Sequence, residues 1–311
     1  MKRNLLFLSS LCLSFLTLIG CGSKPNSIPT YDYKVKSGPD KDIYLSGQNF
    51  NSKGIIFERT RTDMDCDCID LLKLEDIEGA EIVDGNNLQA GQNEVTVKID
   101  GKSFYFDIEV KETYTVTCCG DSLTEGHMWA NEAYPVFIND YANHTFNVVN
   151  CGRNGISITG YGGSWDNPDA RYQLSEYYTK SINANPDVVL LFLGTNDGTN
   201  WEKAAPLFEN QYIELIDSYL EALGPKIKFI MAVDPPTKSN TFGISNENIR
   251  DYINPIQRQL AENYGMEMID FRKLFEEREG GYDDFLRDGV HFSKLGAQFV
   301  AEQIANVLEN I

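Results

Sequence analysis

The chain has 311 residues, of which 42% are hydrophobic, enough to bury a sizeable core in one or two domains. Its formal net charge is -19. Phosphate backbones and anionic lipid surfaces select Lys and Arg, so this balance argues against nucleic acid as a partner and against electrostatic docking on membranes.

The first twenty residues do not read as fold. Lys2 and Arg3 precede an apolar run from Leu5 to Ile19, too short for a membrane span and suited to the core of a signal peptide. The run ends Leu18-Ile19-Gly20-Cys21, which resembles a bacterial lipobox. That resemblance implies cleavage before Cys21, lipidation of Cys21 and an extracytoplasmic protein anchored to a bacterial membrane. Residues 21–30, rich in Ser, Pro and Asn, are expected to be a tether. Of seven cysteines, Cys66, Cys68, Cys118, Cys119 and Cys151 remain once the leader and Cys21 are set aside. An odd number cannot form a complete disulfide framework within one chain.

Residues 31–112 show short alternating segments broken by Gly, Asn and Asp. Ile55–Phe57, Glu94–Ile99 and Ser103–Val110 read as strands, and Asp100-Gly101 is a hairpin signal. A small all-β sandwich is expected, similar to the bacterial immunoglobulin-like modules that precede secreted enzymes.

From residue 113 to 311 the pattern becomes strand, helix, strand. Strands are expected at 114–119, 146–150, 187–193, 227–233 and 266–270. Helices are expected near 131–142, 170–182, 206–223, 246–264 and 293–309. The unbroken apolar run Val188–Leu193 fits a strand buried on both faces. Such alternation predicts a three-layer α/β/α domain around a five-stranded parallel sheet, with ligands at the carboxyl ends of the strands.

Four segments carry candidate chemistry, and all but the last directly follow a strand. Gly120-Asp121-Ser122-Leu123 follows the first strand. Asn150-Cys151-Gly152-Arg153-Asn154-Gly155 follows the second, and Gly194-Thr195-Asn196-Asp197 the third. Asp288-Gly289-Val290-His291 precedes the last helix. Each is weak alone. Together they supply a hydroxyl nucleophile, an imidazole base with a carboxylate three residues away, and hydrogen-bond donors for an oxyanion, the parts that serine-based acyl transfer requires.

This combination resembles the SGNH, or GDSL, hydrolase superfamily of serine esterases and lipases, over about residues 113–311. The resemblance implies Ser122 as nucleophile, His291 as base and Asp288 as its orienting carboxylate. It implies an oxyanion hole from Ser122, Gly155 and Asn196, with Gly152 a possible alternative to Gly155. Asp121 and Asp197 would be structural. No metal and no cofactor is implied. Phe292 stands where family members commonly have Pro, and no Gly-x-Ser-x-Gly elbow is present, so the α/β-hydrolase fold is not supported.

All three tryptophans follow these segments: Trp129, Trp165 and Trp201. Flat aromatic rings on a rim suit sugar rings. Gly160, Gly162 and Gly163 would let the neighbouring loop lie close to a glycan. The expected function is removal of acetyl groups from an acylated carbohydrate or other small ester. A lysophospholipase or thioesterase, and an inert surface glycan-binding lipoprotein, are the alternatives.

Overall fold

The computed structural model describes residues 29–63, 69–163, 166–238 and 241–311. The leader, Cys21, Cys66, Cys68 and Trp165 lie outside the described residues. The chain divides into two compact units. Within the described residues the first takes 29–40, 52–63, 69–81 and 97–104, and the second takes 41–51, 82–96 and 105–311 without its gaps.

Before residue 112 the strands are β1 (Tyr31–Ser37), β2 (Ile43–Leu45), β3 (Ile56–Arg61), β4 (Ile69–Lys73), β5 (Glu81–Ile82), β6 (Glu94–Ile99), β7 (Lys102–Asp107) and β8 (Glu109–Lys111). In the first unit β1, β3 and β4 form an antiparallel sheet in that order, with an irregularity between Val35 and Ser37. Asp100 (φ 49°) and Gly101 (φ 79°) make the left-handed pair that a two-residue hairpin turn needs. In the second unit β2 runs parallel to β8.

The second unit is built on a parallel sheet of β9 (Thr115–Gly120), β10 (Asn147–Gly152), β11 (Val188–Phe192), β12 (Lys228–Val233) and β13 (Glu267–Asp270). The spatial order is β10-β9-β11-β12-β13, and every adjacent pair is parallel. All five residues of β11 are buried. Successive side chains on a strand point to opposite faces, so both faces of the sheet centre are covered.

The helices are α1 (Ser122–Glu125), α2 (Tyr134–Tyr141), α3 (Glu176–Asn183), α4 (Trp201–Ala204), α5 (Phe208–Leu223), α6 (Asn246–Asn248), α7 (Asn254–Tyr264), α8 (Phe271–Glu276) and α9 (Lys294–Leu308). The chain steps from β9 to β10 in one direction, then back across β9 to β11 and onward. Right-handed crossovers therefore place α2 on one face and α3, α5 and α7 on the other. The contacts agree: α2 packs on α9, and α3 on α5. The stretch expected as one helix over 246–264 is interrupted by a π-turn at Ile249–Ile253. Pro255 explains this, because it offers no N–H and its ring crowds the carbonyl four residues back. The short α8 carried no helical period in the sequence.

The reversal of direction at β9 opens a crevice between the carboxyl ends of β9 and β11, where sheets of this kind hold ligands. Ser122 follows β9 and Asn196 follows β11.

Candidate active site

Ser122 opens α1 directly after β9. Asp121 caps that helix by accepting a 2.9 Å hydrogen bond from the Leu123 N–H. A one-turn helix leaves its first N–H groups without helical partners, so the Ser122 amide is free of the ladder. The Ser122 Oγ lies 2.9 Å from His291 Nε2. On the far side of the ring, Nδ1 lies 2.8 Å from Asp288 Oδ2. The other oxygen of Asp288 accepts from the backbone N–H groups of Val290 (3.0 Å) and His291 (2.8 Å). One carboxylate thus fixes both the loop and the ring.

Burial lowers the proton affinity of His291, and the nearby His127 ring adds to this, while the Asp288 carboxylate opposes both; the net shift is below the ordinary value of 6.5. Partial burial pushes Asp288 upward, but the hydrogen bonds from the His291 ring and from two backbone amides outweigh it and hold the group below 3.8. The pair therefore rests as a carboxylate beside a neutral imidazole near neutral pH, and the imidazole can accept a proton from Ser122.

Gly155 has φ 74°, and its N–H has no hydrogen-bond partner among the described residues. The N–H of Gly152, by contrast, donates 2.9 Å to its own loop through Asn150 Oδ1. Asn196 Nδ2 donates to the Ile156 carbonyl at 2.8 Å and to Asp121 Oδ2 at 3.2 Å. The glycines of the neighbouring loop accommodate the chain's own backbone. A Cβ on Gly163 (φ 60°) would fall 2.5 Å from the Gly155 carbonyl and 2.7 Å from Asn196 Oδ1, and one on Gly162 would fall 2.2 Å from the Asn196 carbonyl. The expectation that they free the loop for a glycan is thus replaced by a tight internal contact that keeps Gly155 and Asn196 together.

Two buried carboxylates hold these loops in place. Asp197 accepts from the Ile158 N–H (2.9 Å), the Thr159 N–H (3.0 Å) and the Thr159 hydroxyl (2.7 Å), tying the loop after β11 to the loop after β10. Asp234, at the end of β12, accepts from Thr195 Oγ1 and Gln257 Nε2, both at 3.0 Å. Burial pushes Asp197 up to about 6 and Asp234 up to about 7, and raises Asp121 well above 3.8. Sequence motifs pointed to Asp121 and Asp197. Asp234 and Gln257 carry no motif, and only the fold shows that they hold Leu193 and Thr195, at the start of the loop that carries Asn196.

The sign of these shifts sets a stability prediction. Groups that bind protons more tightly folded than unfolded stabilise the fold below their unfolded value of about 4, and that contribution is lost as pH rises through their folded values. Between about pH 5 and 8 the melting temperature is expected to fall as pH rises, and Asp234→Asn should flatten the fall. Thermal melts across that range check it, and a melting temperature climbing with pH contradicts it.

The tryptophans have different surroundings. Trp129 lines a small cavity with Ser122, Gly126, Ala133 and His291. One face of its ring is covered by the Arg287 guanidinium at 4.1 Å, and Arg287 in turn pairs with Glu132. Trp201 is half-buried, stacked on Tyr252 at 5.6 Å and set edge-on to Phe208. One face of its indole is therefore already occupied. Cys118, Cys119 and Cys151 are fully buried and unpaired, placed as small core residues of β9 and β10. Among the described residues, no group of three or more His, Cys, Asp or Glu is arranged to hold a metal ion.

A parallel sheet with a serine at one strand end, met by a histidine and an aspartate from the loop before the last helix in one hydrogen-bonded line, defines an α/β protein of the serine-hydrolase class. Residues 118–299 match the family described as GDSL-like Lipase/Acylhydrolase. The chain belongs to that family.

Among relatives, an acetylxylan esterase of Xylanibacter ruminicola is 25% identical over 224 residues, covering 64% of this chain and 44% of its own. A GDSL esterase/lipase of Arabidopsis thaliana is 24% identical over 168 residues, 49% of this chain and 53% of its own. The chain thus spans about half the length of these curated relatives. Among solved structures, one described as a GDSL-like lipase from Parabacteroides merdae superposes with a TM-score of 0.50 at 18% identity, over 63% of this chain and 95% of its own. It bears on the fold alone.

Proposed function

We propose that this protein is a serine esterase that removes acetyl and other short acyl groups from carbohydrate esters. The observation that carries this reading is the unbroken line Asp288–His291–Ser122, with links of 2.8 and 2.9 Å. Ser122 Oγ attacks the ester carbonyl as His291 Nε2 takes its proton. The tetrahedral oxyanion is met by the N–H groups of Ser122 and Gly155 and by the Asn196 amide. Of the two hydrogen bonds from the Asn196 amide, the 3.2 Å bond to Asp121 is the longer. Each such donor contributes about 3 kcal/mol to the transition state. Collapse breaks the bond to the alcohol, which leaves with the proton from His291. Water then attacks the acyl-serine with His291 again as base, releasing the carboxylic acid and restoring Ser122. Asp288 stays ionised throughout and orients the ring.

Two observations support the short acyl group and the sugar. The cavity beside Ser122 is small and walled by Leu123, Ala133 and Ala297 as well as Trp129. A relative that shares residues with this chain is an acetylxylan esterase. One observation favours a second reading, a lysophospholipase or thioesterase. Phe242, 60% exposed, lies edge-on to His291 at 5.5 Å, and Met128 beside His127 is 78% exposed. An apolar mouth of that kind suits a longer chain. The readings separate on a panel of esters. Acetyl esters are expected to be cleaved faster than octanoyl ones, because a true acyl channel would add about 0.8 kcal/mol per buried methylene. A preference for octanoyl would overturn the carbohydrate reading.

We further propose that Cys21 carries the lipid anchor and that the small β unit of 29–40, 52–63, 69–81 and 97–104 acts as a spacer, in place of the whole stretch 31–112 expected from the sequence. Among the described residues no helix is long and apolar enough to cross a membrane. Cys21→Ser is expected to shift the protein from the membrane fraction to the soluble one or to block its maturation. Equal retention of variant and wild type would place the anchor elsewhere.

A further inference from the structure

The backbone after α1 is unusual. Gly126 ends the helix with φ 92°, and His127 follows with φ 48°, so a non-glycine residue sits in the left-handed region. Backbone held this way is costly and persists where the surroundings demand it. The ring of His127 is costly too, because its Nδ1 is buried with no hydrogen-bond partner. What these costs secure is a ring set between Trp129, tilted beside it at 5.9 Å, and His291. The His127 ring lies parallel to the His291 ring, with centroids 4.1 Å apart and planes within 4°. Phe242, also in the left-handed region at φ 57°, meets His291 edge-on at 5.5 Å.

The base is thus held by its two ring nitrogens and also by its flat surface. Hydrogen bonds to Asp288 and Ser122 hold the ring at its edge, through the two nitrogens. The parallel plate holds it at its face, and so resists the tilting that would lengthen both bonds. The plate belongs to the same one-turn helix and loop that begins with Ser122, so base and nucleophile are referenced to one rigid piece of chain.

We propose that His127 is a positioning residue, which keeps the His291 imidazole in the plane that reaches Asp288 and Ser122 together. This rests on the reading of His291 as the base. The role belongs to the flat ring and not to its nitrogens, whose Nδ1 has nothing to bond.

The test compares three variants of the whole protein on p-nitrophenyl acetate. Glycine accepts φ 48° without strain, so His127→Gly deletes the ring without forcing a new side chain into that backbone. It is expected to lower kcat about 10-fold with KM changed by less than about 2-fold, as misorientation of a reacting group does. His127→Phe keeps a plate without the nitrogens and is expected to restore kcat to within about 2-fold of wild type. His291→Ala is expected to be inactive. Normal kcat in His127→Gly, or His127→Phe as slow as His127→Gly, would overturn the positioning role alone. Full activity in His291→Ala would overturn the assignment of the base, and the positioning role with it.

Discussion

Ser122→Ala should lower ester turnover by at least about 10⁴-fold while leaving the fold intact. That is more than about 5 kcal/mol of transition-state stabilisation. The effect is large because the hydroxyl is the group that His291 activates, and the imidazole left behind attacks an ester far more slowly than the activated serine does. The fold should be indifferent. The Ser122 side chain is 6% exposed, and its one recorded side-chain hydrogen bond is to His291. Alanine keeps the Cβ and the helix start, and Asp121 still caps the Leu123 amide. Purified variant and wild type are to be compared by turnover of a chromogenic acetate and by thermal melting. Near wild-type turnover would remove Ser122 from the mechanism.

His291→Ala should be nearly as damaging, because Ser122 then has no acceptor for its proton. Asp288→Asn should cost about 100-fold less, since the imidazole survives and loses only its orienting charge. The pH profile carries the same logic. Catalysis needs the neutral ring, and burial holds its proton affinity under the ordinary value of 6.5. The acid limb of kcat/KM should therefore lie below that value and fall about tenfold per pH unit. In Asp288→Asn the opposing carboxylate is gone, so the limb should move further toward acid. A rate that stays flat down to about pH 4 would falsify a histidine base.

The sheet was legible in the sequence because a strand covered on both faces has to be apolar at every position. Val188–Phe192 shows this and ends where the turn residues begin. The reacting groups were legible for a related reason. Ser122 and Asn196 follow strands, where a Gly, Asp or Asn breaks the apolar run, while Asp288 and His291 share one turn before the last helix, three residues apart. The residues that escaped notice lack such a local signature. Asp234 reads as one acidic residue after one strand, and Gln257 as one polar residue on one helix. Their pairing depends on β12 and α7 meeting in space. His127 was invisible because stacking leaves no spacing rule, and its left-handed backbone looks like any turn after Gly126. Gly162 and Gly163 were legible as close-approach positions, but not what approaches them. The π-turn at Ile249–Ile253 follows from Pro255, which a reading of helical period passes over.

The buried carboxylates Asp197 and Asp234 have a consequence for how the protein fails at each end of its pH range. On the acid side one imidazole gains a proton while the structure stays whole, so lost activity should return within the mixing time once the pH is restored. As pH rises, ionising Asp197 and Asp234 leaves two buried charges beneath the strand ends, which lowers the stability of the fold and not the supply of a neutral base. Recovery there has to wait for chain segments to repack. The two edges of the working range therefore differ in reversibility and in time scale, even where the remaining activity is the same.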